Sequence, residues 1–149
     1  MKKSLIIILT LISSEIFAQE KIVDKIEMCN LLTELKTNDQ LHRKSEILNS
    51  WNENKYSKKE IDSIWTLQIK IDNENTEKLI ELTKKYGWLS DERLDCLKLN
   101  IWIIFRHSQK KYFEQISGLI EKEHNSNRLN DWHYKLIKNH LNGRPKTID

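Results

Sequence analysis

Several polar side chains stand where helical spacing asks for apolar ones. Gln68, Asp72 and Asn75 are four and three residues apart, and on one continuous helix they share a face with Ile64, Trp65 and Leu79. Burying such groups without partners costs about 1–3 kcal/mol each. A structural hydrogen-bond network, the commoner outcome, or a ligand must therefore satisfy them. Asp39-Gln40-Leu41-His42-Arg43 offers a second set. Asp39 and Arg43 are one helical turn apart and could pair at the surface. Turned inward, Arg43 could grip a carboxylate or phosphate with its planar fork. His107-Ser108 closes an apolar stretch in which Asn100 is the lone polar residue. With Asp72 or Asp39 beside it, His107 becomes half of a general acid–base pair. Without such a neighbour it is a cation favoured by a helix C-terminus. Asn100 could bridge neighbouring helices or address a ligand. The candidate site is thus His107, Asp72 and Asp39 for proton transfer, with Arg43, Gln68, Asn75 and Asn100 for binding.

Other chemistry has little support. Glu121 with His124, or His133 with His140, could each place two ligands along a helix, but no His-Glu-x-x-His run and no close pair of cysteines completes a metal set. No Gly-x-Ser-x-Gly elbow marks a serine hydrolase. The three glycines lie far apart, which removes a Gly-rich phosphate loop. No metal and no cofactor is expected. The formal charge of +3 is near balance, and the pairs Lys58-Lys59, Lys84-Lys85 and Lys110-Lys111 are interleaved with acids. That pattern fits a solvated helix face better than a nucleic-acid patch. The expected partner is a protein or a small molecule, not nucleic acid.

The elements that must position these residues read as helices throughout. Five Trp, four Tyr and three Phe in 149 residues argue against disorder, and one Pro with three Gly leaves little turn chemistry for a many-stranded sheet. Ile22, Ile26, Cys29, Leu32 and Leu35 recur on one helix face, and Asn38 could cap a continuation carrying Leu41, Ile47, Leu48 and Trp51. A polar loop follows over 52–56. Ser57-Lys58-Lys59-Glu60 is a capping box, and Gly87 fits the stop of the helix behind it. That helix is either continuous or broken near Asp72 to Asn75. Ser90 or Asp91 opens a stretch that is apolar nearly all round, so residues 91–107 are expected as one central buried helix, with a strand over 99–105 the alternative. Phe113, Ile116, Leu119 and Ile120 mark another helix. His124 to Asn127 read as a turn, and Trp132, Leu136, Ile137 and Leu141 as a last helix ended by Gly143 and Pro145. Trp and Tyr are assigned to the core. The fold class is all-α, a small bundle of about five or six helices in one domain over 19–149.

Residues 1–18 read as a signal peptide. Lys2 and Lys3 precede an apolar run from Leu5 to Ile12, and Ile16-Phe17-Ala18 ends in a small residue suited to cleavage. The run is too short to span a bilayer, so no membrane span is expected after cleavage. Export to the periplasm or beyond makes nucleotide chemistry a poor guess. It also allows Cys29 and Cys96, the only cysteines, to pair, although both also suit a core as small hydrophobes.

Asp39-Gln40-x-x-Arg43, Asp72-x-x-Asn75-Thr76, Tyr86-Gly87-Trp88, His107-Ser108 and Gly143-x-Pro145 occur in this order. Together they resemble domain of unknown function family 6624, a group of bacterial proteins that are often exported. The resemblance runs from about Cys29 to Lys146. It points to the same polar positions, Asp39, Arg43, Asp72, Asn75 and His107, and implies no reaction. This chain has Leu89 where the family often has Pro, and Arg106 where it often has Gln. It lacks an Asp-Arg pair in the last helix and differs in its terminal residues. The leading expectation is a non-enzymatic binding or interaction protein of the cell envelope. The rival is a small hydrolytic enzyme using His107 with an aspartate.

Overall fold

The computed structural model describes residues 24–49 and 55–144. The expected signal segment, Ile22, Trp51, most of the 52–56 loop and Pro145 lie outside them. The described residues are all-helical, a small bundle as the apolar periodicity requires. Four long helices carry it: Lys25–Gln40 (α1), Lys58–Tyr86 (α3), Phe113–Asn125 (α6) and Asp131–Leu141 (α7). Three single turns lie between them: Glu46–Asn49 (α2), Asp91–Leu94 (α4) and Trp102–Arg106 (α5). Among the described residues, no helix is long and apolar enough to cross a membrane.

Helix α3 is continuous through Asp72 and Asn75. Ser57 Oγ accepts from Glu60 N at 3.3 Å while the Glu60 carboxylate accepts from Ser57 N at 2.8 Å, so the capping box forms in full. Gly87 ends the helix at φ 78°, a backbone angle that a side chain disfavours. The next residue is fixed at both its backbone polar groups. Trp88 N donates to Glu123 Oε2 at 2.7 Å, and Trp88 O accepts from Arg93 at 3.0 Å. Arg128 neutralises Glu123, which is fully buried, through bonds of 2.6 and 3.0 Å. The Tyr86-Gly87-Trp88 motif is therefore architecture, and it seats Trp88 against Phe105 at a centroid distance of 6.0 Å.

The 91–107 region enters the core through Leu94, Leu99, Ile101, Ile104 and Phe105, but it is not one helix. Asp95 and Asn100 take left-handed backbone angles, φ 60° and 52°, and split it into α4, a loop and α5. Asn and Asp tolerate that conformation better than other non-glycine residues. Ile101, Ile104 and Phe105 still fill the core, whereas Leu97 is 91% exposed in the loop. Asn100 is exposed in this loop and turns the chain into α5, with no place in the buried network described below.

The structure pairs Cys29 with Cys96, tying α1 to the loop between α4 and α5 across 67 residues of sequence. Other expectations need correction. In α1 Ile26 is exposed and Met28 takes its place beside Leu32 and Leu35. Asn38 lies inside α1 and caps nothing; Leu41 begins a turn instead of a continuation. Helix α6 runs through His124 and Asn125. Trp65 and Trp132 sit at the surface, 42% and 61% exposed, against the expectation that Trp fills the core.

Candidate functional site

The end of α1, the middle of α3 and the end of α5 meet at one place. Asp39 sits in the last turn of α1, fully buried. His107, the residue that closes α5, puts Nδ1 2.7 Å from Asp39 Oδ1. A carboxylate that is ionised only accepts hydrogen bonds, and opposite one the proton of this bond belongs to Nδ1. In the neutral ring Nε2 is then left with its lone pair. Gln40 Nε2 donates to the second Asp39 oxygen and holds the carboxylate in plane. Of the two aspartates named as possible partners for His107, Asp39 is the one beside it.

Asp72 does different work. Its two oxygens accept a forked pair of bonds from Arg43, at 2.8 and 2.7 Å. Arg43 was a candidate anion clamp, but its fork is occupied by a carboxylate of the same chain. Arg43 Nη1 also donates to the Asp39 carbonyl at 2.9 Å. Gln68 completes the network at both ends of its amide. Nε2 donates to Asp39 O at 3.0 Å and Asp72 Oδ1 at 2.8 Å, and Oε1 accepts from His42 N at 3.0 Å. Asn75 Nδ2 donates to Leu35 O at 2.9 Å. The last carbonyls of a helix lack partners within it; Arg43 and Gln68 supply them at Asp39, while Asn75 adds a bond one turn earlier, at Leu35. The network thereby fixes the backbone that carries Asp39.

His107 is not sealed in. Its side chain is 19% exposed and lines an open cleft of about 590 Å³ together with Arg43 and Asp72. Trp65, Ile69 and Phe113 are apolar members of the same lining, and Lys110, His140 and Arg144 basic ones. No hydrogen bond to His107 Nε2 is present among the described residues. His140 donates from Nε2 to Ser108 O at 2.9 Å and accepts at Nδ1 from Arg144 Nε at 3.0 Å. Both bonds suit the uncharged ring. Burial moves the His140 pKa below its ordinary value, and the nearby Arg144, His107 and Arg106 charges add to that. Ser108 is buried with its hydroxyl bonded to Phe105 O, so it is no nucleophile here.

Five of the seven residues singled out from sequence thus join one network beside or within the cleft, and Asn75 anchors the same helix end. Asn100 is the exception. Of the other lining residues, sequence took Lys110 for part of a solvated basic pair and His140 for a weak metal ligand with His133, and it did not single out Arg144. Gly143 signalled the end of α7, but nothing in the local pattern said that the following arginine turns back to the cleft. No group of three or more potential metal ligands occurs among the described residues. No protein family, curated protein or solved structure compared with the chain matches it.

Proposed function

We propose that this cleft is the active site of a small acid–base enzyme of hydrolytic type, with His107 as the group that moves the proton. The observation that carries the reading is the His107–Asp39 pair at the edge of an open cleft. Asp39 orients the ring and stabilises the imidazolium, and Nε2 is left to take a proton from water. The water oxygen then bonds to the acyl or phosphoryl centre and the bond to the leaving group breaks. His107 returns the proton to the leaving group, so the sum is addition of water. Arg43, Gln68 and Asp72 are positioning residues in this scheme, since their polar groups engage one another and the Asp39 backbone.

A second reading, a binding protein that catalyses nothing, is favoured by the same closed network, which leaves His107 as its single reactive edge. Turnover separates the two. Purified protein is assayed with p-nitrophenyl acetate, p-nitrophenyl phosphate and p-nitroacetanilide across pH 5–9. The enzyme reading expects turnover of at least one class that falls about a hundredfold or more in His107→Asn, the usual scale of acid–base catalysis. Equal rates for the native chain and His107→Asn on all three would refute it and leave the binding reading.

We further propose that the chain is exported. The Lys2-Lys3 start and the apolar run after it support this, as does the Cys29–Cys96 bond, a type that persists in oxidising compartments. Membership of domain of unknown function family 6624 is likewise a proposal, supported by the meeting of its motif residues Asp39, Arg43, Asp72 and His107.

A further inference from the structure

We propose that the cleft takes an anion with an apolar body, gripped by Arg144, with Lys110 in the same lining, and packed against Trp65. This rests on reading the cleft as the functional site and names the class of molecule it would hold. Three sets of observations carry it.

The first is charge. Of the cations lining the cleft, Arg43 is matched by Asp72. Lys110 and Arg144 also line it, and among the described residues neither has a carboxylate partner. The one carboxylate in the lining, Asp72, already accepts from Arg43 and Gln68. A cleft with apolar walls and uncompensated cations concentrates anions.

The second is how Arg144 is held. The chain leaves α7 through Gly143 at φ 84° and Arg144 at φ 58°. Arg144 N bonds back to Asn139 O at 2.8 Å, the closing bond of a helix-end turn. Left-handed angles disfavour a residue with a side chain, so its placement is held by specific contacts. Nε donates to His140 Nδ1 at 3.0 Å and Nη2 to Arg106 O at 2.7 Å. Those bonds use one edge of the guanidinium. A guanidinium has five N–H groups, and both on Nη1 have no acceptor among the described residues. The outer fork is therefore oriented before any ligand arrives, with the planar geometry that matches a carboxylate or phosphate. His140 has the positioning role, because its Nδ1 lone pair fixes Nε of Arg144.

The third is the apolar part of the lining. Trp65 is 42% exposed and Ile69 is exposed too, on a helix whose other face is packed. Phe113 lies in the same cleft and meets the His140 ring edge-on at 5.0 Å. An aryl or alkyl group bonded to the anionic centre would cover this surface while the anion meets Arg144.

The test is calorimetric titration of the native chain with phenyl phosphate, inorganic phosphate, phenylacetate and neutral benzyl alcohol. The two aryl anions should bind saturably, inorganic phosphate more weakly, and benzyl alcohol at least tenfold more weakly than either aryl anion. Arg144→Gln should weaken the anions roughly ten- to hundredfold, the scale of a lost charged hydrogen bond, and Arg144→Lys should fall between. Trp65→Ala should weaken phenyl phosphate more than inorganic phosphate. Unchanged melting temperature and far-ultraviolet dichroism verify the fold of each variant. Equal binding of charged and neutral probes, unchanged affinity in Arg144→Gln, or no saturable binding of any anion would overturn the proposal. His107→Asn keeps its fate separate from the acid–base reading. Binding that needs Arg144 but turnover indifferent to His107 sinks the acid–base reading alone, and the reverse pattern sinks this inference alone.

Discussion

Asp72→Asn is the most informative single change to the frame of the site. Asp72 is buried, and its carboxylate accepts both arms of the Arg43 fork and one N–H of Gln68. Asparagine keeps the shape but removes the charge and replaces one acceptor atom by a donor. The Arg43 side chain is only 16% exposed, so water compensates it poorly. Breaking one partner of a buried pair costs about 3–5 kcal/mol, and the partial exposure of Arg43 favours the lower figure. At this chain length each kcal/mol moves the melting temperature by roughly 2–4 °C, so a fall of roughly 6–12 °C is expected. Urea denaturation at pH 7 measures the free energy and thermal denaturation checks it. The double variant Arg43→Met with Asp72→Leu removes both charges and should be more stable than Asp72→Asn alone, because apolar isosteres avoid the uncompensated cation. A loss below 1 kcal/mol for Asp72→Asn, or a double variant worse than the single, would refute the buried pair as the anchor of α1 on α3.

Three further outcomes are expected. Removing the disulfide by Cys29→Ala with Cys96→Ala frees a loop of 67 residues and should cost about 4 kcal/mol by the loop-entropy estimate; the native chain should take up no iodoacetamide until reduced. Glu123→Gln breaks the pair with Arg128 that holds Trp88 and should destabilise by about 3 kcal/mol in urea. His140 has a folded pKa below its ordinary 6.5, so the unfolded chain binds its proton more readily. Its contribution to stability is whole above pH 6.5 and is lost as pH falls through the depressed folded value. His140→Gln should flatten that part of the stability–pH curve, measured by denaturation between pH 8 and 5.

Much of this was legible in the residues because the physics involved is local. The Ser57–Glu60 box and Gly87 fix both ends of α3 without help from the rest of the chain. Gln68, Asp72 and Asn75 stood out because polar groups on a buried stripe need partners, and each has one. What failed depended on distant contacts. The stretch 91–107 reads as one helix in isolation, yet left-handed residues at Asp95 and Asn100 break it, and Cys96 in the resulting loop is bonded to Cys29. Trp65 fits the apolar stripe of α3, yet it stays 42% exposed at the cleft. Arg43 has the chemistry of an anion clamp, and only three-dimensional proximity shows that Asp72 occupies it. Arg144 follows a helix stop signal, and nothing local directs it toward His140.

The central claim is that buried Asp39 fixes the tautomer of a cleft-facing His107. Long-range proton–nitrogen correlation of the ¹⁵N-histidine-labelled chain reads it most directly, with His107→Asn to assign the signal. At a pH where the ring is neutral, the His107 pattern should show the proton on Nδ1, and Asp39→Asn should shift it toward Nε2. A native His107 protonated on Nε2, or unaffected by Asp39→Asn, would contradict the claim.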